Sequence, residues 1–153
     1  KRLISFNYAT RMGKRIDYIV LHDTGNSRKG ADAYAHYRYF SQPGRNASAH
    51  YLVDSSEVIK IVEDFNAAWH CGDGRGKHGI TNSNSIGIEL CINSEGDWEE
   101  TKRKGIQLIR DLMCKHDIPK ERVVRHFDAS GKVCPRRMSH WGWREWTRFY
   151  DEI

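Results

Sequence analysis

Three residues have the side-chain chemistry and the placement of a metal site. His22 ends the short apolar run Tyr18–His22, and His126 ends a second run, Val123–His126. Cys134 follows eight residues after His126. Two imidazoles and one thiolate are good zinc ligands, and three protein ligands with one open position are the arrangement of a catalytic site, whereas structural sites have four. The pattern therefore indicates a catalytic Zn2+ site.

A second interpretation stays open on spacing alone. The sequence has no pair of CxxC motifs and no HExxH motif. A histidine taken at random among the eight in the chain is more often a surface or hydrogen-bonded residue than a metal ligand. Cys134 could then be a core thiol, and the two strand-end histidines unrelated to it.

The apolar patterns show which elements would position these residues. Short apolar runs bounded by turn residues predict strands over 18–22, 50–54, 58–62, 85–92 and 123–126. The second and third of these runs flank a tight turn and indicate a hairpin. Apolar residues at helical spacing predict helices over 31–40, 99–117 and 142–150, with Trp143 and Trp146 of the last one facing inward.

The order of these elements predicts the fold class. Strands and helices alternate, which is typical of a mixed α/β fold, with a central mixed β-sheet flanked by helices. Because the chain has no internal repeat, low-complexity segment or linker, we expect a single domain over residues 1–153. His22 and His126 each end a strand and open a loop, where ligand sites are usually built.

The cysteine content and net charge bear on two questions, whether the domain has disulfides and what kind of partner it binds. Four cysteines in 153 residues are too few for a disulfide-stapled domain, and we predict Cys91 and Cys114 to be buried thiols. The net charge of +5 favours an anionic partner, such as nucleic acid or a bacterial cell wall. No nucleic-acid-binding motif or basic-aromatic stripe is present, so we expect no nucleic-acid partner. No apolar run reaches the roughly 20 residues of a membrane span, so we expect no membrane insertion.

Five motifs follow one another in an order that is more specific than any one of them. They are Ile19–Gly25, Ser48–Val53, Ala68–Gly72, Asn84–Glu89 and the segment from Arg125-His126 to Cys134-Pro135. Together they resemble the type-2 family of N-acetylmuramoyl-L-alanine amidases, which includes phage endolysins, bacterial autolysins and peptidoglycan recognition proteins. The resemblance extends from about Ile16 to Trp146.

The resemblance implies a function for the metal site. It makes His22, His126 and Cys134 the Zn2+ ligands at the floor of an open groove. It implies hydrolysis of the amide between the lactyl group of N-acetylmuramic acid and L-alanine in peptidoglycan. Some relatives are non-catalytic recognition modules that typically lack the ligand cysteine, so Cys134 favours catalysis.

The resemblance also implies roles for residues around the metal. Glu89 is the expected general base and Lys132 the cation at the scissile carbonyl, although they could be a strand-face carboxylate and a solvated charge. Several relatives carry a catalytic tyrosine where this chain has Ala49, so that role is not transferred. We expect Trp69, His70 and His50 to bind substrate, with His50 also supporting the site.

The resemblance places the action of the protein at the bacterial cell wall. No signal peptide opens the chain, so cytoplasmic synthesis with holin-type release and secretion remain alternative routes to the wall. We expect the domain to act as a monomer.

Overall fold

A five-stranded mixed sheet carries most of the residues predicted to form the site. The computed structural model describes residues 1–153, with strands β1 (Tyr8–Thr10), β2 (Tyr18–Asp23), β3 (Tyr51–Val53), β4 (Val58–Lys60), β5 (Asn66–Ala68), β6 (Ser85–Leu90) and β7 (Val123–Arg125). The helices are α1 (Ala33–Phe40), α2 (Trp98–His116), α3 (His126–Ser130) and α4 (His140–Asp151). The main sheet has the order β4-β3-β6-β2-β7, and β1 pairs with β5 in a separate ribbon.

The centre of the main sheet is parallel. β2 pairs in parallel with β6 and β7, and β3 pairs in parallel with β6 and antiparallel with β4. The predicted mixed α/β fold and the hairpin are therefore confirmed. Because parallel neighbours end at the same edge of a sheet, the ends of β2, β6 and β7 meet. His22 pairs with Glu89 across the β2–β6 boundary.

The two faces of β6 have different partners. Ile86, Ile88 and Leu90 belong to the main core, which also contains Ile109 of α2 and Phe149 of α4. Alternation along a strand places Ser85, Gly87 and Glu89 on the opposite face. Helix packing on one face thus leaves the other face of β6 available to the site.

Helix boundaries follow the capping residues. Asp97 begins α2 by accepting a hydrogen bond from the amide of Glu100, and Asp117 ends it in a left-handed conformation. Asp32 caps α1 in the same way, so this helix begins at Ala33, two residues after the predicted start. No helix is long and apolar enough to cross a membrane.

Several local predictions need correction. Cys91 is buried and all four cysteines are free, as predicted, but Cys114 is exposed. The periodicity of α2 turns Ile109 and Leu112 inward, and residue 114 therefore falls on the solvent side. α4 begins at His140, before the predicted start, and residues 141–143 have a left-handed backbone conformation. Trp146 is buried, as predicted, whereas Trp143 is only partly buried.

Candidate metal centre

The three predicted ligands converge. The donor atoms of His22, His126 and Cys134 all lie within 4.8 Å of one another, and all three residues are buried. His22 lies near the end of β2. His126 begins the short helix α3 instead of opening a loop, which is a difference from the prediction. A backbone hydrogen bond of 3.1 Å from the amide of Phe127 to the carbonyl of Cys134 folds the intervening loop back onto the site.

Unsatisfied polar atoms support a metal at this position. Glu89 Oε2 and His126 Nδ1 are the two buried side-chain nitrogen or oxygen atoms without a hydrogen-bond partner. Such orphaned atoms are rare, and they require an explanation. His22 Nδ1 lies 3.7 Å from Cys134 Sγ. Two imidazoles and a thiol with unused donor capacity therefore fit a bound divalent metal ion.

The other nitrogen of His126 has a carboxylate partner. Asp73 Oδ1 lies 2.7 Å from His126 Nε2, an arrangement that leaves Nδ1 as the free donor. Burial tends to raise the pKa of the Asp73 carboxyl, but hydrogen bonds from His126 and Ser130 outweigh it and hold this pKa below its usual range. No motif or spacing in the sequence singles out Asp73. It belongs to a short 3-10 turn packed on α3, where a Cβ on Gly74 would lie 2.3 Å from the carbonyl oxygen of Ala129.

Cys134 has a buried thiol with charged neighbours. Burial raises its pKa, the negative charges of Glu89 and Asp23 raise it further, and Lys132 acts in the opposite direction. Asp23 was also not selected from the sequence. Its carboxylate accepts hydrogen bonds from the amides of Gly25 and Arg137, at 3.0 and 2.7 Å. Asp23 thereby ties the end of β2 to the segment that follows Cys134.

Glu89 faces the metal ligands from β6. Its side chain is half-buried, and Oε2 has no protein partner. Burial raises the pKa of this carboxyl well above its usual range, and so does the charge of Asp23, whereas Lys132 lowers it. Glu89 therefore has a free, buried carboxylate oxygen next to the candidate metal ligands.

An open groove borders the candidate ligand His126. It has a volume of 520 Å3, and its lining includes Trp69, His70, Asp73, His126 and Lys132. Trp69 is partly exposed and Lys132 exposed, so both can meet a ligand in the groove.

His50 is not positioned to contact a substrate. It is 0% exposed. Its Nδ1 accepts a hydrogen bond of 3.0 Å from the amide of Gly87, and its Nε2 lies 3.0 Å from Arg11 and 2.9 Å from the carbonyl of Asn66. The prediction of substrate contact by His50 is therefore wrong, because protein groups surround the ring. Ala49 is also buried at 0% exposure, in the second hydrophobic core.

Comparison with known proteins agrees with this geometry. The sequence profile of the N-acetylmuramoyl-L-alanine amidase family matches residues 12–137. The amidases CwlH and XlyA of Bacillus subtilis are 42% and 41% identical, over 81% and 79% of this chain. The catalytic domain of XlyA superposes with a TM-score of 0.82 at 35% identity, covering 98% of both chains. The structure of PlyL has a TM-score of 0.79 at 28% identity, covering 99% of this chain and 96% of that one.

The fold and the site define a mixed α/β domain with a candidate three-ligand metal centre at the ends of parallel strands. The chain belongs to the N-acetylmuramoyl-L-alanine amidase family. The aligned regions are 49% of CwlH and 40% of XlyA, so the chain spans half or less of the length of these curated relatives.

Proposed function

We propose that this chain is a zinc-dependent N-acetylmuramoyl-L-alanine amidase that cleaves the amide between the lactyl group of N-acetylmuramic acid and L-alanine in peptidoglycan. One observation carries the proposal. His126 Nδ1 and Glu89 Oε2, a metal donor and a potential base, are both buried without partners beside Cys134 and His22. Family membership supplies the substrate, because CwlH and XlyA are both named for this activity.

The donor set favours zinc. Nitrogen and sulfur donors suit this ion, and three ligands leave a position for water or substrate. Bound zinc would supply Lewis acidity at the carbonyl and lower the pKa of a coordinated water to about 7.

The side chains around this position would do the remaining chemistry. Glu89 would accept a proton from the attacking water and later deliver it to the amine of L-alanine as the C–N bond breaks. Lys132 would place its positive charge beside the oxyanion that forms at the lactyl carbonyl. Its charge already acts on His22, Glu89 and Cys134. Trp69 and the walls of the groove would orient the peptidoglycan strand.

The test is release of new alanine amino termini from purified cell walls. Glu89→Gln removes the base but keeps the shape of the side chain, so we expect the rate to fall at least about 100-fold with unchanged zinc content. Glu57→Gln is a matched control, because Glu57 is an exposed carboxylate of the β3–β4 turn. Full activity of Glu89→Gln would remove Glu89 from the mechanism.

A chelator arm separates hydrolysis from recognition. If the chain hydrolyses walls with zinc, removal of zinc must abolish the release of alanine amino termini. Binding to walls without any such release, in the presence of zinc, would instead identify a recognition module and overturn the proposal.

A further inference from the structure

A chain of buried hydrogen bonds begins at the ring nitrogen of the candidate metal ligand His22 that points away from Cys134. His22 Nε2 lies 2.9 Å from His70 Nδ1, and His70 Nε2 lies 3.0 Å from Ser85 Oγ. Ser85 Oγ donates to the backbone carbonyl of Thr81 at 2.5 Å. His22, His70 and Ser85 are 2%, 9% and 0% exposed, so water does not compete for these bonds.

The direction of every bond in this chain follows from its last member. A backbone carbonyl only accepts, so the single hydroxyl proton of Ser85 is used on Thr81. Ser85 Oγ must then accept from His70, and His70 Nε2 carries the proton. In neutral imidazole the other nitrogen is bare. His70 Nδ1 therefore accepts from His22 Nε2–H, and His22 is left with a bare Nδ1 on the side of Cys134.

The surrounding structure holds His70 in this orientation. The side-chain oxygen of Asn82 accepts hydrogen bonds from the amides of His70 and Cys71, at 3.0 and 2.8 Å. On the other side, the ring lies directly on Gly87, where an added Cβ would be 2.5 Å from His70 Cγ. Ser85 and Gly87 lie two residues apart on the same face of β6. Ser85 accepts the hydrogen bond from the His70 ring, and Gly87, which has no side chain, leaves room for that ring.

We propose that His70 is a positioning residue, which fixes the tautomer and orientation of the metal ligand His22 through the hydrogen-bond chain ending on Thr81. This differs from the substrate-binding role expected from the sequence, because both ring nitrogens of His70 are already used inside the protein. The proposal rests on the metal site of the proposed function and not on hydrolysis.

Zinc affinity of two matched variants tests the proposal. His70→Phe keeps an aromatic ring but cannot accept a hydrogen bond, and we expect zinc affinity to fall about 10- to 100-fold in competition with a chelator. His70→Gln can accept from His22 and donate to Ser85, and we expect it to retain affinity within about threefold of the wild type, in keeping with restored hydrogen bonding. If His70 only fills space, Phe, which keeps the ring, should retain zinc affinity at least as well as Gln, and if His70 does not act on His22, neither variant should change zinc affinity; either result would overturn the proposal.

Imidazole 15N spectra of the unsubstituted protein supply a test that needs no variant. We expect His70 to carry its proton on Nε2, both with and without zinc. A proton on Nδ1 of His70 would contradict the proposal, because that nitrogen could not accept from His22. Neither measurement uses cell walls, so a failure of the proposed amidase activity would be seen separately from a failure of this positioning role.

Discussion

Substitution of Gly87 by alanine tests the packing behind the metal site. The added Cβ would lie 2.5, 2.7 and 2.8 Å from three atoms of the His70 ring, closer than side-chain carbons approach one another. The ring cannot easily withdraw, since hydrogen bonds hold both of its nitrogens. The backbone of Gly87 is also fixed, because its amide donates to His50 Nδ1 and its carbonyl accepts from the amide of His50.

The expected loss of stability follows from these contacts. Overpacking of a close-packed core costs about 1–3 kcal/mol, and a broken buried hydrogen bond adds about 1 kcal/mol. The lower conformational entropy of alanine in the unfolded chain returns about 0.4–1 kcal/mol. The net destabilisation of Gly87→Ala is therefore about 2 kcal/mol, which in a domain of this size lowers Tm by about 4–8 °C.

Gly105→Ala is the matched control for this experiment. Its added Cβ has one close neighbour, Leu90 Cδ2 at 2.9 Å, the end of a side chain that can rotate, and ordinary contacts at 3.9 Å with Leu90 Cδ1 and Phe149 Cζ, while alanine is favoured over glycine inside a helix by about 1 kcal/mol. We expect this variant to be at least as stable as the wild type, with unchanged zinc affinity. Thermal and urea unfolding, together with zinc competition, measure both variants. Wild-type stability and zinc affinity in Gly87→Ala would refute the packing argument.

Two further predictions concern other parts of the molecule. Cys134→Ser should lower zinc affinity at least about 100-fold, more than the loss of an outer hydrogen-bond partner, and an unchanged metal content would exclude Cys134 as a ligand. Asp64 is buried and accepts from Tyr51, Lys115 and His116, which hold its pKa below the usual range despite burial. The stability that this lowered pKa gives is complete above about pH 4 and is lost progressively as the pH falls towards the pKa of the folded state. Asp64→Asn should therefore cost about 2 kcal/mol at neutral pH, after allowance for the exposure of Lys115, and progressively less below about pH 4. Urea unfolding at pH 7 and pH 3 measures this difference, and a difference independent of pH would contradict it.

The elements that could be predicted are those with a strong burial pattern. β2 is a parallel strand with hydrophobic clusters on both faces, and such a strand appears in a sequence as a continuous apolar run, whereas β6 alternates and turns Ile86, Ile88 and Leu90 to the main core. The ribbon of β1 and β5 was not predicted, because its three-residue strands, Tyr8–Thr10 and Asn66–Ala68, have no recognisable alternation. Contacts between residues that are far apart in the sequence could not be predicted either. The buried Arg11 donates hydrogen bonds to the backbone carbonyls of Asp64, Ser83 and Ser85. No periodicity in the sequence links these positions.

The orientation of the His50 and His70 rings could not be predicted for a different reason. Ordered motifs singled out His50 and His70, but a motif does not say which side of the backbone a ring occupies. That depends on β6, where Ser85 and Gly87 receive the ring of His70 from one side of the sheet. Asp73 was missed for the related reason that it lies 53 residues from its partner His126 in the sequence. Only the fold brings these two residues together.

One face of β6 connects the parts of the site. The two-residue period of a strand places Ser85, Gly87 and Glu89 in one row, and β6 is held between β3 and β2. The first two positions receive His70, which contacts His22, and the third lies beside His22 in the sheet register. A shift of β6 by one residue would turn all three positions towards the main core at once. Positioning of the ligand His22 and of the proposed base Glu89 therefore depends on the same strand register, so a change that displaces β6 should impair zinc binding and hydrolysis together.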